Sequence, residues 1–264
     1  MANILSGKEV ALALKTELVE EVKALKDKGM TPKLCILMVG DRPDSASYIR
    51  GTAKRCEGIG MNCDVKELPE SITQEGFIEV LRELNNDVSV NGILIMRPLP
   101  KHISEDVVKF EITPSKDVDC FNPVNVSKVV SGDKDGFAPC TPSAVIEMLN
   151  HYGIKTEGKR AVVVGRSMVV GRPLSLMLLH KNATVTICPT RTANLSDETR
   201  RAEILVAAAG KAKMITRDMV SPGTVVLDVG INFEDGKMCG DVDYDAVAPV
   251  AGMITPVPGG VGAV

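Results

Sequence analysis

The sequence has few of the features that build metal centres, nucleic-acid surfaces or membrane spans. It has three scattered histidines, and none of its seven cysteines forms a C-x-x-C pair, so a zinc site is not expected. The net charge of -3 argues against a nucleic-acid-binding surface, which is normally basic. The longest apolar runs, such as "GILIM" and "AVVVG", have the length of a strand and are far too short to span a membrane.

The amino-terminal segment and the cysteines favour a cytoplasmic protein. The opening "MANILSGKEV" meets an acidic residue, Glu9, before the apolar core of a signal peptide could form. The cysteines are best interpreted as reduced side chains used as small hydrophobic residues. With 264 residues, the chain can bury one large core or two of ordinary size.

Strand-like apolar runs alternate with amphipathic segments through the first half of the chain. The segment "GKEVALALKTELVEEVKALKDKG" has the apolar spacing of a helix and ends in glycine, and "KLCILMVG" is typical of a strand covered on both faces. Further elements are predicted as a helix from about Pro43 to Glu57, a strand near "NCDVKEL", a helix from Thr73 to Asn85 and the strand "GILIMRPLP". This alternation predicts an α/β fold with a parallel sheet.

A second α/β series follows "PCTPSAVIEMLNHYG" and has the spacing of a Rossmann-like unit. Its elements are predicted as the strands "RAVVVGRS", "ATVTIC", "EILVAAAG" and "TVVLDVGI", with helices from Arg172 to His180 and near Leu195 to Arg201. We therefore expect a first domain over residues 1–140 and a second over 141–255. Residues 256–264 would form a loop that returns to the first domain. This glycine-rich end is typical of a loop that leads into a further element.

The stretch "VVVGRSMVVGRP" predicts a nucleotide site in the second domain. It places Gly165 at the end of a strand and Gly171 at the start of a helix, where free backbone N–H groups favour a phosphate. The spacing is not the usual G-x-G-x-x-G fingerprint. A tight turn before a helix, with Pro173 near its amino terminus, is an equally good interpretation of the pattern alone.

The residues after the next strand favour NADP over NAD. That strand ends in "TVTICPTRT", with Thr190 and Arg191 and no carboxylate that could bind the ribose hydroxyls of NAD. Arg191, together with Arg166, could accommodate a 2′-phosphate. As a lone arginine, Arg191 could equally be a solvated loop residue.

Together these motifs resemble those of the bifunctional 5,10-methylenetetrahydrofolate dehydrogenase/5,10-methenyltetrahydrofolate cyclohydrolase (FolD-like) family. The similarity covers nearly the whole chain and keeps the family order and spacing. The matching stretches are "DSASYI", "PSKDVD", "PCTP", "VVVGRSMVVGRP", "NATVTIC", "VVLDVGIN", "GDVDYD" and "ITPVPGGVG". Of these, "VVVGRS" and "TPVPGGVG" are the most specific.

The resemblance implies two α/β domains flanking a cleft, with a folate on the first, a nicotinamide cofactor on the second, and a homodimer. It implies that Tyr48 stacks on the folate and that Asp119 holds the pterin ring. The folate would be covered by the loop containing Pro258, Gly259 and Gly260. The implied NADP site consists of Gly165, Arg166, Ser167, Thr190 and Ile231. Without the resemblance, Tyr48 would be interpreted as a packed aromatic residue and Asp119 as a turn or cap residue.

The chain departs from the family where the second reaction takes place. The family pattern Y-x-x-x-K carries the main catalytic lysine of the cyclohydrolase, and this chain has Thr52 there. The family pattern V-Q-x-P-L-P carries a glutamine that tunes the lysine, and this chain has Met96. The candidate catalytic set is therefore Tyr48, Thr52, Met96 and Asp119. Smaller departures are Cys120 for glycine, Pro189 for histidine and Ala263 for proline.

These departures predict a dehydrogenase whose cyclohydrolase activity is weak or absent. Hydride transfer mainly needs its two carbons held face to face, whereas hydrolysis needs a group that moves protons near neutral pH. A threonine hydroxyl is no base at neutral pH, and Lys54 would point about 200° around the helix from Thr52. Three alternatives remain open: a fully bifunctional enzyme, a degenerate folate- or nucleotide-binding protein, and a dehydrogenase that prefers NAD.

Overall fold

A computed structural model describes residues 2–40 and 43–264, apart from the side chains of residues 43–47. The chain forms two compact units. The central unit consists of Ala13–Ala138, and the terminal unit consists of the residues up to Leu12 together with Pro139–Val264. The "DSAS" part of the first family motif lies outside the described side chains.

The central unit is built on a three-stranded parallel sheet with the order β3-β2-β4. Its strands are β2 (Lys33–Val39), β3 (Asn62–Leu68) and β4 (Gly92–Ile95). Its helices are α1 (Gly7–Asp27, which begins in the terminal unit), α2 (Pro43–Ile59), α3 (Gln74–Asn86), α4 (Glu105–Glu111) and α5 (Pro123–Ser131). The chain passes from β2 to β3 on one side and then to β4 on the other. The strand order therefore reverses between β2 and β4, where α/β folds bind ligands.

Strand β2 is apolar throughout because both of its faces are covered. Cys35 and Leu37 pack with Phe77 and Leu81 of α3, while Ile36 and Met38 pack with residues of α2 and β4. The two-residue alternation of a strand sends successive side chains into opposite layers. Helix α3 begins where the Thr73 side chain accepts a hydrogen bond from Gly76 N at 3.1 Å.

The terminal unit is built on a six-stranded sheet, all parallel, with the order β1-β11-β8-β7-β5-β6. The strands are β1 (Asn3–Ile4), β5 (Arg160–Val164), β6 (Thr184–Cys188), β7 (Ile204–Ala207), β8 (Val225–Asp228) and β11 (Met253–Ile254). A separate antiparallel hairpin joins β9 (Asn232–Glu234) to β10 (Lys237–Cys239). The helices are α6 (Cys140–His151), α7 (Gly171–His180), α8 (Leu195–Arg200) and α9 (Tyr244–Val247). Here the order reverses between β5 and β7.

The α/β fold class predicted from the sequence, with a Rossmann-like parallel sheet in the second half, is confirmed. Every predicted strand and helix has a counterpart, and several of them differ from the prediction at their ends. The strand predicted over "GILIMRPLP" ends at Ile95, before Pro98, which has no N–H for a ladder hydrogen bond. Among the helices of the described residues, none has the length and apolar character needed to cross a membrane.

Candidate functional site

In the terminal unit, the loops after β5 and β7 meet at the point where the strand order reverses. Gly165 has a φ of 126°, and a Cβ atom there would collide with the carbonyl oxygen of Ala208. Only glycine combines that backbone conformation with so close an approach. The two loops therefore pack backbone against backbone at the edge where a doubly wound sheet binds its ligand.

The turn that leads into α7 is equally compact. The Ser167 hydroxyl accepts hydrogen bonds from Val170 N at 3.0 Å and Gly171 N at 3.4 Å. A Cβ atom on Gly171 would collide with the carbonyl oxygen of Gly165, so both predicted glycines are sterically required. The arrangement places the amino terminus of a ten-residue helix beside this loop, where backbone N–H groups can bind a phosphate.

Arg166, Thr190 and Arg191 lie at the ends of neighbouring strands. Gly165 N donates a hydrogen bond to Cys188 O at 3.0 Å, which ties the end of β5 to the end of β6. All three side chains are exposed. Among the side chains of residues 2–40 and 48–264, neither arginine forms an ion pair. Their positive charges are therefore available to an anion at this edge of the sheet.

A buried carboxylate that sequence reasoning missed holds the loop after β7 in place. Asp241 is fully buried and accepts hydrogen bonds from the backbone N–H groups of Ala209, Gly210 and Lys211, the last two at 2.9 and 2.8 Å. It also accepts one from Asn232 Nδ2 at 2.9 Å. Successive N–H groups that converge on one anion fix the conformation of the loop. Asp241 belongs to the motif "GDVDYD", but the motif does not indicate which backbone N–H groups the carboxylate binds.

A second buried carboxylate, Asp228 at the end of β8, holds the backbone of the segment that contains Asp241. It accepts hydrogen bonds from the backbone N–H groups of Gly230, Asp241 and Val242 at 3.0, 3.0 and 2.9 Å. Burial raises the pKa of Asp228 to about 6, and these hydrogen bonds only partly oppose that shift. Ile231, which the resemblance places at the cofactor, follows this segment and is 61% exposed.

In the central unit, Tyr48 and Thr52 lie one turn apart on α2. The Thr52 hydroxyl donates a hydrogen bond to the backbone carbonyl of Tyr48 at 3.0 Å, and the tyrosine side chain is 51% exposed. Lys54 lines a separate open depression of about 740 Å³ together with Lys26 and Asn62. The lysine nearest to Thr52 in sequence therefore faces a different part of the surface.

Met96 packs with apolar side chains at the carboxyl end of β4. It lies against a buried cluster that contains Ile36, Ile49 and Leu94. Ile49 belongs to the same helix as Tyr48 and Thr52, so this cluster links the end of β4 to α2. The methionine therefore acts as a packing residue where the family pattern has a polar amide.

Asp119 forms an ion pair with Arg97, which sequence reasoning did not single out. Arg97 Nη2 donates to Asp119 Oδ2 at 2.8 Å, and the guanidinium carbon lies 4.5 Å from the centre of the Phe121 ring. Asp119 reaches this position because Ile93 of β4 forms a parallel bridge with Asp117. Asp117 is buried and accepts from Phe121 N and Asn122 N at 3.0 and 2.8 Å, which fixes the turn after Asp119.

The loop of Pro258, Gly259 and Gly260 lies against the first turn of α1 within the terminal unit. Gly7 N donates a hydrogen bond to Gly259 O at 2.9 Å. A Cβ atom on Gly7 would collide with the carbonyl oxygen of Gly260, and Gly259 has a φ of 99°. A Cβ atom on Gly260 would collide with the carbonyl oxygen of Pro256, so close packing explains Gly260 and the left-handed backbone explains Gly259.

Comparisons with known proteins agree over both units. Residues 5–119 match the model of the tetrahydrofolate dehydrogenase/cyclohydrolase catalytic domain, and residues 139–264 match that of the NAD(P)-binding domain of the same family. The chain is 56% identical to the bifunctional protein FolD of Alkaliphilus oremlandii, covering 100% of this chain and 93% of that protein.

Two solved structures are also similar. The bifunctional FolD enzyme of Campylobacter jejuni is 45% identical with a TM-score of 0.97, covering 100% of this chain and 94% of that one. The Trypanosoma brucei enzyme, solved with NADP and an inhibitor, is 36% identical with a TM-score of 0.92, covering 99% and 92%.

Proposed function

The chain belongs to the tetrahydrofolate dehydrogenase/cyclohydrolase family, and from that premise we propose that it oxidises 5,10-methylenetetrahydrofolate to 5,10-methenyltetrahydrofolate with NADP. The observation that supports this most is the loop pair at the strand reversal of the terminal unit. Gly165 and Gly171 permit the close backbone approach that a dinucleotide needs there. In this proposal the cofactor residues are Gly165, Arg166, Ser167, Gly171, Thr190, Arg191 and Ile231.

The preference for NADP rests on Arg166 and Arg191. Both guanidinium groups are exposed and form no ion pair with any described residue, and they follow two strands that pair side by side. A 2′-phosphate carries charge that an arginine can bind in a bidentate manner. The test is a titration with NADP and NAD of the wild type and of Arg191→Ser. The variant is expected to raise the KM for NADP by about tenfold and to leave that for NAD within about twofold.

The dehydrogenase step depends on positioning of the two reactants more than on acid–base chemistry by the protein. The nicotinamide supplies the hydride acceptor when it is bound. The folate nitrogen lone pair stabilises the cation as hydride leaves the methylene carbon, and no proton is transferred. Orientation of the reacting carbons can contribute about 7–11 kcal/mol. We assign the folate side of that task to Tyr48 and Asp119, with Pro258, Gly259 and Gly260 as further substrate contacts.

We propose that the cyclohydrolase step is weak or absent. The Thr52 proton is engaged with the Tyr48 carbonyl, Met96 packs in an apolar cluster and Lys54 faces another surface. Neither the hydroxyl of Thr52 nor the thioether of Met96 can act as a base near neutral pH, a contribution typically worth about 10²–10⁴-fold. Full bifunctionality is the second candidate, because the relative that shares 56% identity is named a bifunctional protein.

The deciding experiment follows methenyl absorbance while the purified protein oxidises methylenetetrahydrofolate with NADP. We expect methenyl product to accumulate and to decay no faster than it does without enzyme. The double variant Thr52→Lys, Met96→Gln is expected to speed that decay by about 10²-fold, since it restores a tunable amine. Lys54→Ala serves as the control and should change neither rate.

Three outcomes would change the proposal. NADPH formation without methenyl accumulation means that the wild type is bifunctional. A double variant without gain means that Thr52 and Met96 do not explain the missing step. If neither cofactor is reduced, a folate- or nucleotide-binding protein becomes the better description.

The expected homodimer and the cytoplasmic location belong to the same proposal. The thiols of Cys35, Cys56, Cys63, Cys188 and Cys239 are reduced, as suits a reducing compartment. Light scattering after size exclusion would test the dimer. A mass near twice 28.2 kDa supports it, and a mass near 28.2 kDa refutes it.

A further inference from the structure

The pair of Arg97 and Asp119 occupies the carboxyl end of β4, beside the strand reversal of the central unit. The two side chains are 24% and 27% exposed, and their contact is 2.8 Å between Nη2 and Oδ2. The Arg97 guanidinium also stacks on the Phe121 ring at 4.5 Å. Both partners are thus held at an edge of the sheet where a ligand is expected.

The surrounding backbone fixes both ends of the pair. Asp119 follows the segment that bridges β4 at Ile93, and the turn after it is held by the buried Asp117. Arg97 directly follows Met96, whose side chain is anchored in the cluster with Ile49. Neither charged residue therefore needs to be ordered when a ligand binds, which lowers the entropic cost of binding.

The pair engages one oxygen of the carboxylate and leaves the other available. Asp119 Oδ2 accepts from Arg97, and among the described residues Oδ1 accepts no hydrogen bond. A carboxylate has lone pairs on both oxygens, so a paired carboxylate can still accept from a ligand N–H group. A partly exposed ion pair contributes little to stability, so its main consequence here is the orientation of the carboxylate.

We propose that Arg97 is a positioning residue that orients Asp119 so that Oδ1 accepts a hydrogen bond from the N–H edge of a pterin ring. This deepens the function proposed above and rests on it. The ligand class is a 2-amino-4-oxo-pyrimidine, which presents N–H donors to a carboxylate. The family pattern V-Q-x-P-L-P leaves the position of Arg97 open and assigns it no role.

The test is steady-state kinetics with varied methylenetetrahydrofolate at saturating NADP. Arg97→Leu is expected to raise the folate KM about tenfold, with kcat and the NADP KM within about twofold of wild type. This pattern indicates the loss of an interaction that is equally strong in the bound substrate and in the transition state. Arg97→Lys keeps the charge and should stay within about threefold. Arg82→Leu is the matched control, because it removes the exposed pair with Glu111, which lies outside the proposed site. The folate KM of Arg82→Leu should remain at the wild-type value.

A double-mutant cycle separates positioning from a merely structural role. If Arg97 acts through Asp119, Arg97→Leu will raise the KM by no more than about twofold in an Asp119→Asn background. Equal losses in the two backgrounds would overturn the proposal. So would an unchanged or lower folate KM in Arg97→Leu, or an equal rise in the KM for NADP.

Direct binding of tetrahydrofolate, measured by calorimetry, distinguishes failure of this inference from failure of the proposed function. A wild type that binds tetrahydrofolate but reduces no NADP refutes the proposed activity. The inference then stands if Arg97→Leu weakens the binding about tenfold and falls if it does not. A wild type that binds no tetrahydrofolate refutes both.

Discussion

The two units present carboxyl-terminal sheet edges of different construction. In the terminal unit the edge is shaped by backbone: Gly165 against Ala208, and three N–H groups on Asp241. In the central unit it is shaped by side chains, namely Met96 and the pair of Arg97 and Asp119, and Thr52 lies on helix α2, which packs against Met96 through Ile49. We call the edge of the terminal unit the backbone edge and that of the central unit the side-chain edge. A substitution can change the chemistry of the side-chain edge and leave the fold intact. At the contact points of the backbone edge, few residue types fit.

Under the proposed function, this contrast separates cofactor binding, at the terminal unit, from the proton transfer of the second reaction, at the central unit. Cofactor binding depends on close backbone approach, and the required glycines are present in this chain. In the proposal above, proton transfer depends on one side chain that can act as a base near neutral pH, and a threonine hydroxyl at position 52 would not provide it. If that proposal holds, substitution at two positions removes the second reaction while the cofactor loops keep their geometry.

The largest effect is expected from adding a single methyl group to the backbone edge. Gly165→Ala forces a Cβ atom onto Ala208 O at a φ of 126°, so we expect a loss of more than about 4 kcal/mol of unfolding free energy and no NADP reduction. Denaturant titration and the NADPH assay measure the two effects.

Gly158→Ala is the control for that substitution. Gly158 has a φ of 71° with nothing within 4 Å of its Cβ position, so the variant should lose only about 1 kcal/mol through backbone strain. If the two variants are equally stable, the contact between the loops after β5 and β7 is not tight.

The next effect concerns the buried carboxylates behind the same edge. The pKa of Asp228 rises from 3.8 in the unfolded chain to about 6 in the folded protein. Between pH 3.8 and about 6, Asp228 is therefore protonated in the folded protein and ionised in the unfolded chain. The stability contribution of Asp228 is greatest at low pH and falls as pH rises through 6.

Urea denaturation of the wild type and Asp228→Asn from pH 4 to 8 measures this linkage. The stability difference, wild type minus variant, should fall by up to about 3 kcal/mol between pH 4 and 6.5. Above pH 6.5 it should stay constant, which is the internal control. The neighbouring Asp241 is present in both proteins, so a difference that rises with pH would contradict the assignment to Asp228.

The smallest effect is expected at the side-chain edge, directly after Asp119. Cys120 has a φ of 56°, where the family has glycine, and its side chain is 7% exposed. Cys120→Gly relieves about 1–2 kcal/mol of left-handed backbone strain but loses about 1 kcal/mol of thiol burial. Its unfolding free energy should therefore stay within about 1 kcal/mol of wild type.

The control for Cys120 is Cys35→Gly, which removes a thiol that is 3% exposed from the interior of β2. This variant relieves no backbone strain. Its unfolding free energy should fall by about 2 kcal/mol, because the buried thiol is lost and glycine makes the unfolded chain more flexible. Equal stability of the two variants would show that the left-handed backbone at Cys120 carries no cost.

Local sequence patterns determined the elements of this protein. The apolar spacing of α1 and α3, the unbroken apolar run of β2 and the turn chemistry around Gly165 depend on residues close together in the chain. These patterns were sufficient for the α/β fold and for the candidate cofactor loop, because helix and strand periodicity follow from local backbone geometry. They also identified Thr52 and Met96 as the positions where this chain departs from the patterns Y-x-x-x-K and V-Q-x-P-L-P.

The tertiary structure alone decided which side chains meet. Arg97 and Asp119 are 22 residues apart in sequence, and Asp241 lies 31 residues from Gly210. Both contacts arise because segments distant in sequence come together at the carboxyl edge of a sheet. The packing of Met96 against Ile49 has the same origin. Periodicity identifies the buried face of each element, but strand order and register decide which polar groups share an edge.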